Sequence, residues 1–298
     1  MLAGSCSWAD RTLIKEGQFY PASAKTPEAR LRYYSERFPI VEADSPYYAL
    51  PGEEQSQAWA ERTPDDFIFD VKAFRLFTLH PAEPKVLPKD LREDLPADVT
   101  AKRRLYMKDL PERAQTQLWR RFRQGIEPLR AAGKLGVVLL QFPPWVFPSD
   151  ESREHMLRTV EALAGFRLAV EFRHDSWVND KNRERTLQFL QDHKLTYVCV
   201  DEPREVKGNL PPLVEVTTPD VAVFRFHGRD PEAWRTKADS AAERFKYFYS
   251  AGELEELAGR VEEAKADRKH ALFNNCYRDN AVINALQMIE RLRELHGE

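Results

Sequence analysis

Two short stretches of the chain set acids and bases at alternating positions. Val221–His227 carries Arg225 and His227 two residues apart, interleaved with Phe224 and Phe226. Arg167–Arg173 carries Glu171 and Arg173 on either side of Phe172. Alternate side chains of a β-strand share a face. Arg225 with His227, and Glu171 with Arg173, should therefore point one way while the phenylalanines point the other. Glu42 and Asp44 repeat the spacing, as do Asp70 and Lys72. Gln141, Asp201, Asn274 and Asn275 stand at or near the ends of further apolar runs.

Such a set suits chemistry on a polar molecule. His227 and Glu171 are the candidates for exchanging protons, with Asp201 orienting or assisting. Arg173, Arg225 and Arg229 are the candidates for holding an anion, because the planar guanidinium matches phosphate and carboxylate. Lys72, Glu42, Asp44, Gln141, Asn274 and Asn275 would complete the binding surface, and Trp8, Tyr47 and Trp177 would wall it. A structural reading stands beside each assignment. Glu171 and Arg173 could form an ion-pair ladder, and Glu42 and Asp44 could pair with Lys72 or Arg173. His227 could be a satisfied core histidine, Arg229 a surface residue, the asparagines loop caps and the aromatic residues core.

The elements that must position these residues follow an alternating plan. Strands are expected at Leu2–Trp8, Ile40–Pro46, Phe67–Ala73, Leu135–Phe142, Arg167–Arg173, Thr196–Asp201, Val221–His227 and His270–Asn275. Runs such as VVLLQF and YVCV are continuously apolar, as buried parallel strands are. Helical patterns lie between them. Thr26 should cap a helix that has Pro27 in its first turn. A long helix spans Pro111–Ala132, with Gly133 suited to its C-terminal cap. Ser149 or Asp150 should cap the next, and others cover Lys181–His193, Ser250–Ala266 and Asp279–Leu295. Eight strands alternating with helices predict one (β/α)₈ barrel, whose active site belongs at the C-terminal ends of the strands. An open doubly wound sheet would want a glycine-rich turn after an early strand, and none is present. Arg75–Leu110, rich in proline and charge, is a long insertion after the third strand, expected as a lid over the mouth or a solvated excursion. Gly228–Tyr249 reads as another long loop.

Composition narrows the function. The chain has 298 residues, is 42% hydrophobic and 31% charged, and carries a net charge of −3. No basic excess marks a nucleic-acid or membrane-surface binder. The three cysteines, Cys6, Cys199 and Cys276, form neither a disulfide framework nor a zinc motif. With no secretory leader and no long apolar span, a cytoplasmic protein is expected. No cofactor motif occurs: there is no phosphate loop, no nucleophile elbow and no His-Glu-x-x-His. Glu171, Asp201 and His227 could converge as an oxygen-rich magnesium or manganese site, but the neighbouring arginines compete for those carboxylates, so no metal is assigned.

Eight segments resemble one family in its own order along almost the whole chain. They are GSCSW (Gly4–Trp8), GQFYP (Gly17–Pro21), VEADSPYYALP (Val41–Pro51), TPDDFIFDVK (Thr63–Lys72), LLQFPP (Leu139–Pro144), AVEFRHDSW (Ala169–Trp177), FRFHGR (Phe224–Arg229) and FNN (Phe273–Asn275). The sequence is similar to the domain of unknown function 72 family, also called YecE-like. The resemblance implies a (β/α)₈ barrel and no established activity. Many members begin Gly-x-Ser-Gly-Trp, where this chain has GSCSW, with serine in place of a turn glycine. The expectation is an enzyme acting on a small, anionic, oxygen-rich molecule such as a sugar phosphate, by isomerisation, epimerisation or hydrolysis. The alternatives are a divalent-metal-dependent phosphodiester hydrolase acting on nucleic acid and a non-catalytic ligand-binding barrel.

Overall fold

The apolar runs form eight parallel strands that close in sequence order into a barrel. In the computed structural model, which describes residues 1–235 and 245–297, these are β1 (Leu2–Ser5), β2 (Ile40–Ala43), β3 (Ile68–Lys72), β4 (Leu135–Gln141), β5 (Leu168–Glu171), β6 (Leu195–Asp201), β7 (Val221–Phe226) and β8 (Arg268–Phe273). Residues 236–244 of the loop expected at Gly228–Tyr249 lie outside the described residues.

Several strands stop earlier than alternation alone predicts, and local chemistry says why. After β2 the chain turns directly into a helical turn, Ser45–Tyr48, with Pro46 in its first turn. Proline fixes φ and has no N–H for the ladder, so it ends the strand and suits a helix start. After β1, the Ser7 hydroxyl accepts the Ala9 N–H at 3.0 Å, and Ser7 keeps an ordinary negative φ. The turn therefore needs no glycine here.

Helices surround the barrel with the expected caps. Thr26 accepts the Ala29 N–H at the start of Pro27–Ser35. Ser149, rather than Asp150, caps Asp150–Ala162. Gly133 follows the long helix Glu112–Ala131 in the left-handed conformation, φ +70°. The main core lies between the sheet and these helices. A much smaller apolar cluster, Cys6, Ile40, Ile68 and Leu272, fills part of the barrel interior. The insertion is less irregular than its composition implies. Helices Lys89–Glu93 and Ala97–Thr100 each follow a proline, and an antiparallel bridge joins Ala82 to Leu105.

Strand register fixes which side chains enter the barrel. Glu42 pairs with Asp70, Gln141 with Glu171, and Val200 with Arg225. Near the bottom, Asp70 meets the His270 ring at 2.9 Å and accepts the Val137 N–H at 2.9 Å. A register shift between β3 and β4 occurs at the same level. Gly136 makes room for it, since a Cβ there would stand 2.2 Å from the Asp70 carboxylate.

Candidate functional site

Halfway up the barrel a fully buried arginine bridges two carboxylates. Arg225 grips Glu42 through two hydrogen bonds, Nε to Oε2 at 2.9 Å and an Nη to Oε1 at 2.7 Å, and its other Nη donates to Glu171. Glu171 in turn pairs with Arg173, and His227 Nε2 lies 3.3 Å from it. The Asn274 amide donates to His227 Nδ1 at 2.9 Å, which leaves the ring proton on Nε2, the nitrogen facing Glu171. One residue beyond β6, buried Glu202 lies 3.4 Å from Arg173 and accepts the Leu210 N–H at 2.7 Å.

The charges of this network settle unevenly. Burial alone would raise the Glu171 carboxyl, but Arg173, Arg225 and His227 outweigh it and hold it well below the usual range. Burial drives Glu42 up to about 8 against the pull of Arg225, and Glu202 up to about 7 against Arg173. Burial, then Arg173, pushes His227 down to about 3, so the ring is neutral near pH 7. Four acids (Glu42, Asp44, Glu171, Glu202) face three cations (Lys72, Arg173, Arg225). That imbalance favours one retained proton, and the raised carboxyls of Glu42 and Glu202 are where it belongs.

Above this network opens a cavity of about 610 Å³, walled by residues at or just beyond the C-terminal ends of the strands. Lys72, Asp44, Arg173, Gln141 and Asn274 line it, with Trp8 and Trp234 among its aromatic walls. Lys72 Nζ stands 3.3 Å from Asp44 Oδ1, an ion pair on the cavity wall. Burial would lower Lys72, but Asp44 prevails and the ammonium stays above its ordinary value. Beneath the cavity Glu171 Oε1 faces both Arg173 Nε and His227 Nε2, so the buried network is closed on itself and presents Arg173 to the space above.

A family model described as "Protein of unknown function DUF72" matches residues 2–298. The chain belongs to the DUF72 family. It is 28% identical over 295 residues to the UPF0759 protein YunF of Bacillus subtilis, across 97% of this chain and 93% of that protein. A crystal structure of a DUF72 family protein from Thermotoga maritima is similar at 31% identity and a TM-score of 0.75, covering 98% of each chain. Another, from Enterococcus faecalis, matches at 25% identity and a TM-score of 0.74, covering 88% of each.

The DUF72 barrel brings only part of the expected set to the mouth. Lys72, Asp44, Arg173, Gln141, Asn274 and Trp8 line the cavity; Glu42, Glu171, Arg225 and His227 lie sealed behind them. Asp201 takes the opposite face. Its strand partner is Phe226, and its carboxylate is held outside the barrel by Arg229 at 2.7 and 2.8 Å and by the Tyr249 hydroxyl at 2.9 Å. Arg229 also donates to Glu256 at 2.9 Å on the helix Ala251–Glu263. Asp201 therefore does not converge with Glu171 and His227. Asn275 ties Tyr247 to Asn284. Trp177 is fully buried, stacks on Phe172 and donates to the Val146 carbonyl, so it walls no cavity. Tyr47 packs at the rim between Lys72, Arg75 and His80.

Sequence reasoning missed Glu202, whose position follows from register: Val200 sits beside Arg225, so Glu202 falls on the face of His227. It also missed Trp234 and Asp10 on the cavity wall. The insertion Arg75–Leu110 contributes nothing to that wall. Its residues line a second cavity, described below. Among the described residues no helix is long and apolar enough to cross a membrane.

Proposed function

We propose that this barrel is an enzyme that draws a small, oxygen-rich molecule with one anionic group, such as a sugar phosphate, into the mouth cavity and moves a proton on it. Isomerisation, epimerisation and hydrolysis all fit that description. The observation that carries the reading is the Lys72–Asp44 pair on the cavity wall, beside Arg173, with Asp44 partly exposed to the cavity. Arg173 and Lys72 meet the anion, Asp44 accepts the proton, and Gln141 and Asn274 orient hydroxyl groups. Of the three arginines expected to bind an anion, Arg225 and Arg229 are already committed to carboxylates away from the cavity. His227 and Glu171 act through Arg173 as positioning residues.

Thermal-shift binding with a panel of phosphorylated and carboxylated sugars tests this. At least one should raise the melting temperature, and Arg173→Ala or Lys72→Met should remove the shift. Asp44→Asn should keep most of the shift while turnover of that compound falls about a hundredfold or more. A panel that shifts nothing, or shifts that survive both cation substitutions, would overturn the proposal.

A further inference from the structure

The second cavity, about 770 Å³, is formed between the insertion and the helices Glu112–Ala131 and Asp150–Ala162. Its volume falls within the range of small-molecule pockets. Its walls differ in kind from those of the mouth. Trp119 and Trp145 supply two indole faces, and Tyr106 and Phe147 add two further rings. Fully buried Phe77 stacks against one side of Trp119, ring centroids 3.5 Å apart, so the other side is the one offered to the cavity. Trp145 is 54% exposed, a large apolar surface left in water. Two cations, Lys108 and Arg158, line the same space, and neither forms an ion pair among the described residues. Against them stands one acid, Glu151. His155 is also in the wall and is driven down by burial, so it adds no charge at neutral pH.

We infer that this cavity is a second ligand site, one for a flat aromatic molecule carrying a single negative charge. A planar ring stacks on an indole face with little side-chain ordering, and this cavity offers two. The surplus positive charge selects an anion over a neutral or cationic ring of the same shape. The site is independent of the mouth chemistry. The two cavities share no lining residue, and on this side Trp145 packs against His80, and His80 against Tyr47, with centroid separations of 5.9 and 5.3 Å. It also gives the insertion a purpose that its absence from the mouth would otherwise leave open, since Leu79, Tyr106, Met107 and Lys108 of that segment form one wall.

Titration of the full-length protein with naphthoate, followed by tryptophan fluorescence, tests the inference, with naphthamide as the uncharged isostere. Naphthoate should quench to saturation. Trp145→Ala should weaken its binding at least tenfold, and Lys108→Ala with Arg158→Ala should erase the preference for naphthoate over naphthamide. All three residues are exposed, so these variants should fold, and unchanged circular dichroism would verify it. Arg173→Ala at the mouth should leave the binding constant unchanged, which separates this site from the proposed active site. No saturable quenching, equal affinity for naphthamide, or loss of binding in Arg173→Ala but not in Trp145→Ala would each overturn it.

Discussion

The barrel carries two arginine–carboxylate networks within a few residues of one another, and they face opposite ways. Arg225 holds Glu42 and Glu171 inside the barrel, where all three side chains are essentially without solvent. Four residues on, Arg229 holds Asp201 and Glu256 between the sheet and an outer helix, where it is partly wet. The geometry of the two forks is alike: each guanidinium grips one carboxylate through two nitrogens. What differs is the surroundings. Outside, the partly exposed Arg229 keeps Glu256 and reaches water if Asp201 loses its charge. Inside, removing one charge leaves the others in a medium that cannot solvate them. The inner network therefore behaves as a rigid platform beneath the mouth, and the outer one as a clamp that ties β6 and β7 to the helix Ala251–Glu263.

The sharpest way to break this comparison is to remove each charge in turn. Arg225→Met should cost about 3–5 kcal/mol in urea unfolding, because Glu42 and Glu171 lose the cation they share. Asp201→Asn should cost less, about 1.5–3 kcal/mol, the scale of hydrogen bonds to a charged group. It should also leave binding in the mouth cavity intact, because Asp201 points away from it. If Asp201→Asn proves the costlier change, or if it abolishes binding at the mouth, the division into platform and clamp is wrong.

The same division marks what the sequence makes legible. Where a strand has polar residues on one face and phenylalanines on the other, as in β7, parity alone identifies the inward side, and Arg225 and His227 lie where alternation puts them. β6 offers no such contrast. Tyr197 and Cys199 on one face and Val198 and Val200 on the other are all buried, as expected for a parallel strand covered on both sides. Without its register against β7, nothing in LTYVCVDE says whether Asp201 or Glu202 turns inward. Residues beyond strand ends are less legible still. Trp177 and Asn275 follow no periodic rule, and tertiary packing alone makes the first core and the second a tie between loop and helix. The eight strands, by contrast, were readable, because each is an apolar run bounded by polar or turn-forming residues.

Glu202 gives the finest test of how the inner network differs from the outer one. Its carboxyl, raised by burial to about 7 despite Arg173, binds a proton more tightly in the folded chain than in the unfolded one, where the ordinary value near 4.5 applies. The stability it contributes is therefore complete below about pH 4.5 and is lost as pH rises through 7. Glu202→Gln mimics the protonated form. It should flatten that decline, so the variant gains on the parent between pH 5 and pH 8, by about 2 kcal/mol, since the value near 7 already includes the pull of Arg173. His227, lowered by burial to about 3, acts in the opposite sense: its contribution is present above about 6.5 and is lost as pH falls toward 3. Urea unfolding of parent and variant from pH 3 to pH 8 distinguishes the two groups by sign: Glu202→Gln should remove the loss of stability on going toward pH 7 and leave the loss toward pH 3 that belongs to His227. An unchanged slope between pH 5 and pH 8 would mean that Arg173 holds Glu202 ionised throughout, and that the proton retained by the inner network resides on Glu42.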